Sequence, residues 1–142
     1  MKKNIKLHKA KVSKALVLFI FLTLYVPIFI PTILGQKWNN GNWFYILFVS
    51  LLFGLILYLL YTTVYIIDGK ILRIKTGFFT YKPIDITTIK IIKKTNNLLS
   101  SPAPSLDRIQ IDYGLNQTII ISPKYKEQFK SDLLSINSSI II

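Results

Sequence analysis

The chain has 142 residues, 51% of them hydrophobic, and a formal net charge of +12. It contains no cysteine, which excludes disulfides, zinc-thiolate centres and thiol nucleophiles. The charge is unevenly placed: residues 15–36 and 38–67 carry none, and Lys37 alone separates the two stretches.

Residues 1–14 form a basic tail carrying Lys2, Lys3, Lys6, Lys9, Lys11 and Lys14. Two apolar segments follow, 15–34 and 43–61, joined by the short loop 35–42. A hydrocarbon layer about 30 Å thick takes roughly 20 apolar residues as a helix, so each segment is predicted to cross a bilayer. Positive charge marks the cytoplasmic side of a span. The lysine-rich tail and the basic segment after residue 61 therefore place both termini in the cytoplasm, with the loop outside. Trp38 and Trp43 flank that loop, where amphipathic rings favour the interface. A cleaved signal peptide fits less well, because the first run is longer than a usual apolar leader core and no small-x-small site follows it. Neither span holds an ionisable side chain, the usual mark of an ion or proton pathway, and this argues against a transporter. The tail lysines act as a topology signal and are candidate contacts for anionic headgroups. They abut a span and lack interleaved aromatics, so nucleic acid is not expected as a partner.

From residue 62 the pattern changes to strands. Thr62–Ile67 is β-branched and aromatic, Asp68-Gly69 is a hairpin signal of the type I′ kind, and Lys70–Lys75 is the returning strand. Leu72 and Ile74 are expected in the core, leaving Arg73 and Lys75 on the other face as further candidate headgroup contacts. Gly77 marks a reversal, Phe78–Lys82 a third strand, and Pro83 a strand boundary. Ile84–Thr95 reads as one strand whose apolar parity switches near Thr87-Thr88, predicting a bulge there. After a loop over 96–105, Arg108–Tyr113 alternates with Ile109, Ile111 and Tyr113 inward, and Thr118–Ile121 is the last strand. Ser122 with Pro123 predicts a helix start, and Tyr125, Phe129, Leu133 and Ile136 line one stripe of a helix ending near Asn137, before a tail over 138–142. The expected fold is α+β: two N-terminal transmembrane helices, then a strongly bent antiparallel sheet or partial barrel over 62–137, capped by the C-terminal helix.

Several stretches together resemble the bacterial pleckstrin-homology-like domain of the YyaB type. They are the strand pair around Asp68-Gly69, the run from Ser100 through Pro102, Pro104, Ser105, Asp107 and Arg108 to Ile109, and Ile120-Ile121-Ser122-Pro123 before the last helix. The resemblance implies a bent sheet closed by a helix, a frequent membrane tether, and no assigned enzymatic activity. Some similar small bacterial membrane proteins protect their host against peptide bacteriocins.

No catalytic constellation is visible. His8 is the only histidine, the six acids show no metal-ligand spacing, and there is no Gly-rich phosphate loop, so neither catalysis nor a cofactor is expected. Ser100, Ser101, Pro102, Ser105, Asp107 and Arg108 form a candidate ligand or partner loop, with a proline-fixed crossover as the plain structural alternative. The functional expectation is a non-enzymatic, membrane-anchored binding or scaffold module. Its partners would be the lipid bilayer and a further membrane protein or peptide. Self-protection against a membrane-active peptide is the alternative.

Overall fold

The computed structural model describes residues 5–97 and 103–142. Its first element is one that the sequence reading took for tail: Ile5–Lys9 is a strand, β1. Helix α1 (Lys14–Ile33) starts at Ser13, whose Oγ accepts the Leu16 N–H at 3.4 Å. Helix α2 (Asn40–Tyr61) starts at Asn39, whose Oδ1 accepts the Asn42 N–H at 3.2 Å, three residues earlier than the predicted span. The two helices touch through Tyr25 Oη and Ser50 Oγ (2.9 Å), with Phe21 stacked on Tyr25 and Phe53 edge-on to both rings. Both are long and apolar enough to cross a membrane, and only 6% of each apolar window is covered by the rest of the molecule.

The remaining strands are β2 (Val64–Asp68), β3 (Ile71–Thr76), β4 (Phe79–Thr80), β5 (Ile84–Asp85), β6 (Ile89–Thr95), β7 (Arg108–Tyr113) and β8 (Gln117–Ile121), followed by helix α3 (Lys126–Leu134). They form two antiparallel sheets. The first runs β1-β2-β3-β4 with β5 also on β3; the second runs β6-β7-β8. The predicted hairpin exists, but its two-residue turn is Gly69-Lys70 rather than Asp68-Gly69, because Asp68 stays in register opposite Ile71. Only Gly69 needs a positive φ (60°), so a glycine-first turn suffices and Asp68 remains a strand residue. The expected long strand Ile84–Thr95 is broken by a 3₁₀ turn, Ile86–Thr88, which Asp85 caps through the Thr87 N–H at 2.9 Å. The register irregularity falls just beyond, between Ile89 and Ile91.

Between the sheets lies one core, built from Tyr65, Ile67, Leu72, Ile74, Ile84, Ile86, Ile89, Ile92, Ile109, Ile111 and Ile121, with Phe129 and Leu133 of α3 closing it. The C-terminal residues complete this core. Ile140 is buried, and Ile141 pairs with β6 through Ile92 N–H to Ile141 O at 2.8 Å. Asn137 fastens the end of α3 to the 3₁₀ turn by donating from Nδ2 to the carbonyls of Ile86 (3.0 Å) and Ile89 (3.1 Å).

β1 joins the two sheets. Along Ile5–Lys9 it pairs with β2. Beyond Lys9 it turns to the segment after β8, where the Lys11 N–H donates to Ser122 O (2.7 Å) and the Lys124 N–H to Lys9 O (2.9 Å). This pairing corrects the predicted helix start. The Ser122 N–H donates to Tyr65 Oη at 3.0 Å and its Oγ to Lys11 O at 3.4 Å, so Ser122 serves the sheet junction and α3 begins at Lys126. β1 also plants His8 on the core face, opposite Tyr65, with its Nε2 2.9 Å from Asp132 Oδ2 and its ring edge-on to Phe129 at 5.1 Å.

A chain starting at residue 62 therefore lacks a strand of its own fold. Five paired positions are lost, at about 0.5–1.5 kcal/mol of net stability per hydrogen bond. That is a large share of the ~5–15 kcal/mol typical of a domain. Circular dichroism melts should show no cooperative transition for residues 62–142. A chain in which residues 5–12 are rejoined to residue 63 through a flexible linker should melt cooperatively.

Candidate functional site

The register of the first sheet sorts its outer face into rows across the strands. The row nearest the helices is Lys9, Val64, Lys75, Thr80. The next outward-facing row is Leu7, Ile66, Arg73, and the farthest is Ile5, Asp68, Ile71, Asp85. Charge is thus graded along the face, basic beside the helices and acidic at the far end. Lys9 and Lys75 flank Val64 and are both exposed. With strands about 4.8 Å apart, their backbones lie roughly 10 Å from each other. Lys14, the first residue of α1, is exposed on the same helix-proximal side.

The other candidate cations are placed differently. Arg73 Nη2 lies 3.7 Å from Asp68 Oδ2, drawn toward the far end. Lys6 stands on the inner face opposite Ile67 and bonds Asp132 at 2.6 Å. Lys11 bonds Asp107 at 3.0 Å. Lys2 and Lys3 lie outside the described residues. The structure brings Lys9 and Lys75 together, and the sequence reading could not join them without knowing that β1 exists.

Of the candidate loop, Ser100, Ser101 and Pro102 also lie outside the described residues. Ala103, Pro104 and Ser105 are buried. The Ser13 N–H donates to Pro104 O at 3.2 Å, so this segment props the start of α1. Arg108 is buried and donates from Nε to Ser105 O (2.6 Å) and from Nη1 to Asn97 O (3.2 Å). Its guanidinium is thus engaged by backbone carbonyls of the same domain. Asp107 accepts from both Lys126 and Lys11, and these bonds hold its carboxyl below the usual range. Within the described residues the segment is occupied by internal partners.

A second helix-proximal feature is the turn between β3 and β4. Thr76 pairs with Phe79, leaving Gly77-Phe78 as a two-residue turn with Gly77 at φ 54°. A Cβ on Gly77 would stand 2.5 Å from Leu59 Cδ2 and 3.1 Å from Tyr58 Cε1. The turn is therefore pressed against the last turn of α2, and the Phe78 ring packs on Tyr58 with centroids 5.1 Å apart.

The profile of the bacterial PH domain family matches residues 63–137, just over half of the chain. The chain belongs to the bacterial PH domain family. No curated protein and no solved structure matches it. Membership agrees with the bent two-sheet core closed by α3, and it points to a binding or scaffold module rather than to chemistry on a substrate. In this bacterial PH domain the matched segment begins after β1, so the strand that joins the sheets comes from outside the family's own span.

Two measurements on the full chain in detergent test the packing of this region. Burial pushes the Tyr65 hydroxyl up to about 12, and that hydroxyl accepts the buried Ser122 N–H. Tyr65→Phe strands that donor and should cost about 1–3 kcal/mol in thermal or denaturant unfolding. Asp107 has a lowered folded-state pKa, so its contribution is complete above the ordinary carboxylate range and is lost as pH falls through the folded value. The stability gap between the native chain and Asp107→Asn should be widest near neutrality and close progressively below about pH 4.

Proposed function

We propose that this bacterial PH domain protein is a non-enzymatic binding or scaffold module held at the inner membrane by α1 and α2, with both termini and the domain in the cytoplasm. The observation that carries the reading is the pair of long apolar helices left almost wholly uncovered by the rest of the molecule. A core helix of a water-soluble protein would be buried, and an apolar surface of this extent marks an interaction with lipid or protein. The β1–β2 pairing supports the topology, because a strand before α1 and a strand after α2 in one sheet must lie on the same side of a bilayer. It also weighs against cleavage of the first helix as a leader, which would remove β1. The lysine-poor connection between the helices then lies on the extracytoplasmic side, and the basic row beside the helices faces the inner leaflet.

In this reading Lys9, Lys75 and Lys14 meet anionic headgroups, while Arg73, Lys6 and Lys11 serve internal pairs. The likeness of the Ser100–Ile109 stretch to the YyaB type belongs to the same proposal, with the partner of the domain a membrane protein or peptide brought near by shared tethering. Self-protection against a membrane-active peptide would need the spans and their outer connection, and no feature of the described residues favours it over the scaffold reading.

Carbonate washing should leave the full-length chain in the membrane pellet. For the headgroup contact, the purified full chain is titrated in detergent with phosphatidylglycerol or phosphatidylcholine while its melting temperature is followed. Each lysine near an anionic surface contributes about 1 kcal/mol. Lys9→Gln with Lys75→Gln should therefore weaken the response to phosphatidylglycerol by roughly thirty-fold and leave the response to phosphatidylcholine unchanged. An unaltered phosphatidylglycerol response would remove the row from the site.

A further inference from the structure

The β3–β4 turn presents two large aromatic side chains that the core does not use. Phe78 is 75% exposed and Phe79 is 63% exposed. Burying a phenylalanine is worth about 1.5–3 kcal/mol, so two adjacent ones left uncovered at a turn tip need an occupant. The position of the tip names it. Gly77 and Phe78 contact Leu59 and Tyr58, two to three residues before α2 ends at Tyr61. With a rise of 1.5 Å per residue, the turn reaches back about 3–4.5 Å along the helix from its C-terminal end. It therefore stands level with the last apolar turn of a span, where Tyr58 and Tyr61 are themselves exposed. Lys75 and Lys82 flank the aromatics in sequence and are both exposed. Aromatic rings with basic neighbours at the end of an apolar helix match the composition of the membrane interface.

We infer that the Gly77-Phe78-Phe79 turn is a lipid-inserting wedge, with both phenylalanine rings seated at the headgroup–acyl boundary of the leaflet that α2 leaves. The inference rests on the bilayer-anchoring reading and deepens it. The spans attach the domain through backbone connections at Lys14 and Thr62, and the wedge adds a side-chain contact beside the second of them. That contact limits pivoting of the domain on its tethers, with its Lys9–Lys75 row toward the headgroups. Gly77 lets the turn sit close to Leu59, because its positive φ of 54° is one that L side chains rarely adopt and a Cβ there would require the Leu59 side chain to move.

The absence of cysteine makes single-cysteine labelling clean. Full-length chains carrying Leu55→Cys, Phe78→Cys or Leu115→Cys are labelled with an environment-sensitive dye and reconstituted in vesicles of phosphatidylcholine and phosphatidylglycerol. Leu55 lies within α2, and Leu115 is an exposed residue of the β7–β8 turn. The expected result is blue-shifted emission at 55 and 78, with the label at 78 quenched most by nitroxides near the headgroup, and water-like emission at 115. Water-like emission at 78 with a lipid-like signal at 55 overturns the wedge and leaves the anchor standing. Water-like emission at all three overturns the anchor and the wedge with it. A dye-free probe, Phe78→Trp in a chain with Trp38→Phe and Trp43→Phe, should be quenched by brominated lipid. Absence of that quenching counts against the wedge even if the attached dye enters the bilayer.

Discussion

Backbone pairing between β1 and β2 is the constraint on which the rest of the molecule depends. The two strands are separated in the chain by both apolar helices, yet they lie in register from Ile5 opposite Asp68 to Lys9 opposite Val64. That register brings the ends of the helical hairpin together, positions His8 against Phe129 and Asp132, and hands the chain on to Ser122 and Lys124 so that the second sheet is tied to the first. A sheet with an open edge is a template for unwanted pairing. Here the edge of β2 is covered by Ile5–Lys9 of the same chain.

The same pairing organises the electrostatics. Away from the outer face, polar side chains have specific partners: Lys6 and His8 both meet Asp132, and Lys11 and Lys126 both meet Asp107. Outer-face charge is arranged by row, with lysines beside the helices and aspartates at the far end. A net charge of +12 could have meant diffuse attraction to any polyanion. Among the described residues the acids hold a minority of the basic residues in ion pairs, and part of the excess, Lys9, Lys14 and Lys75, is gathered on the helix-proximal side.

Much of this architecture is visible in the residue pattern, and the exceptions have physical causes. Long uncharged runs signalled α1 and α2, and the alternation of Ile109, Ile111 and Tyr113 signalled β7, because burial on one face leaves a periodic trace. β1 was missed although Ile5-Lys6-Leu7-His8-Lys9 also alternates. Its pattern runs opposite to its burial, with His8 inside and the two aliphatics exposed, since the histidine has a half-buried partner in Asp132. Ser122-Pro123 has the composition of a helix start, but the serine N–H is committed to a tertiary hydrogen bond that Tyr65 Oη accepts. In the candidate loop, Asp107 and Arg108 appeared as opposite charges on display. Their partners Lys126, Lys11 and the carbonyls of Ser105 and Asn97 are supplied by three-dimensional proximity, which the linear order hides.

The pairing of Ile5 with Asp68 also sets a schedule for synthesis. The first strand leaves the ribosome about sixty residues before its partner exists, a wait of roughly 3–12 seconds at ~5–20 residues per second. During that interval both helices must be made and brought side by side. Its alternating lysines and histidine suit such a wait, because charge keeps a nascent, unpaired strand from sticking to its neighbours. Closure of the β1–β2 pair thus follows the making of both helices and requires the two ends of their hairpin to have met.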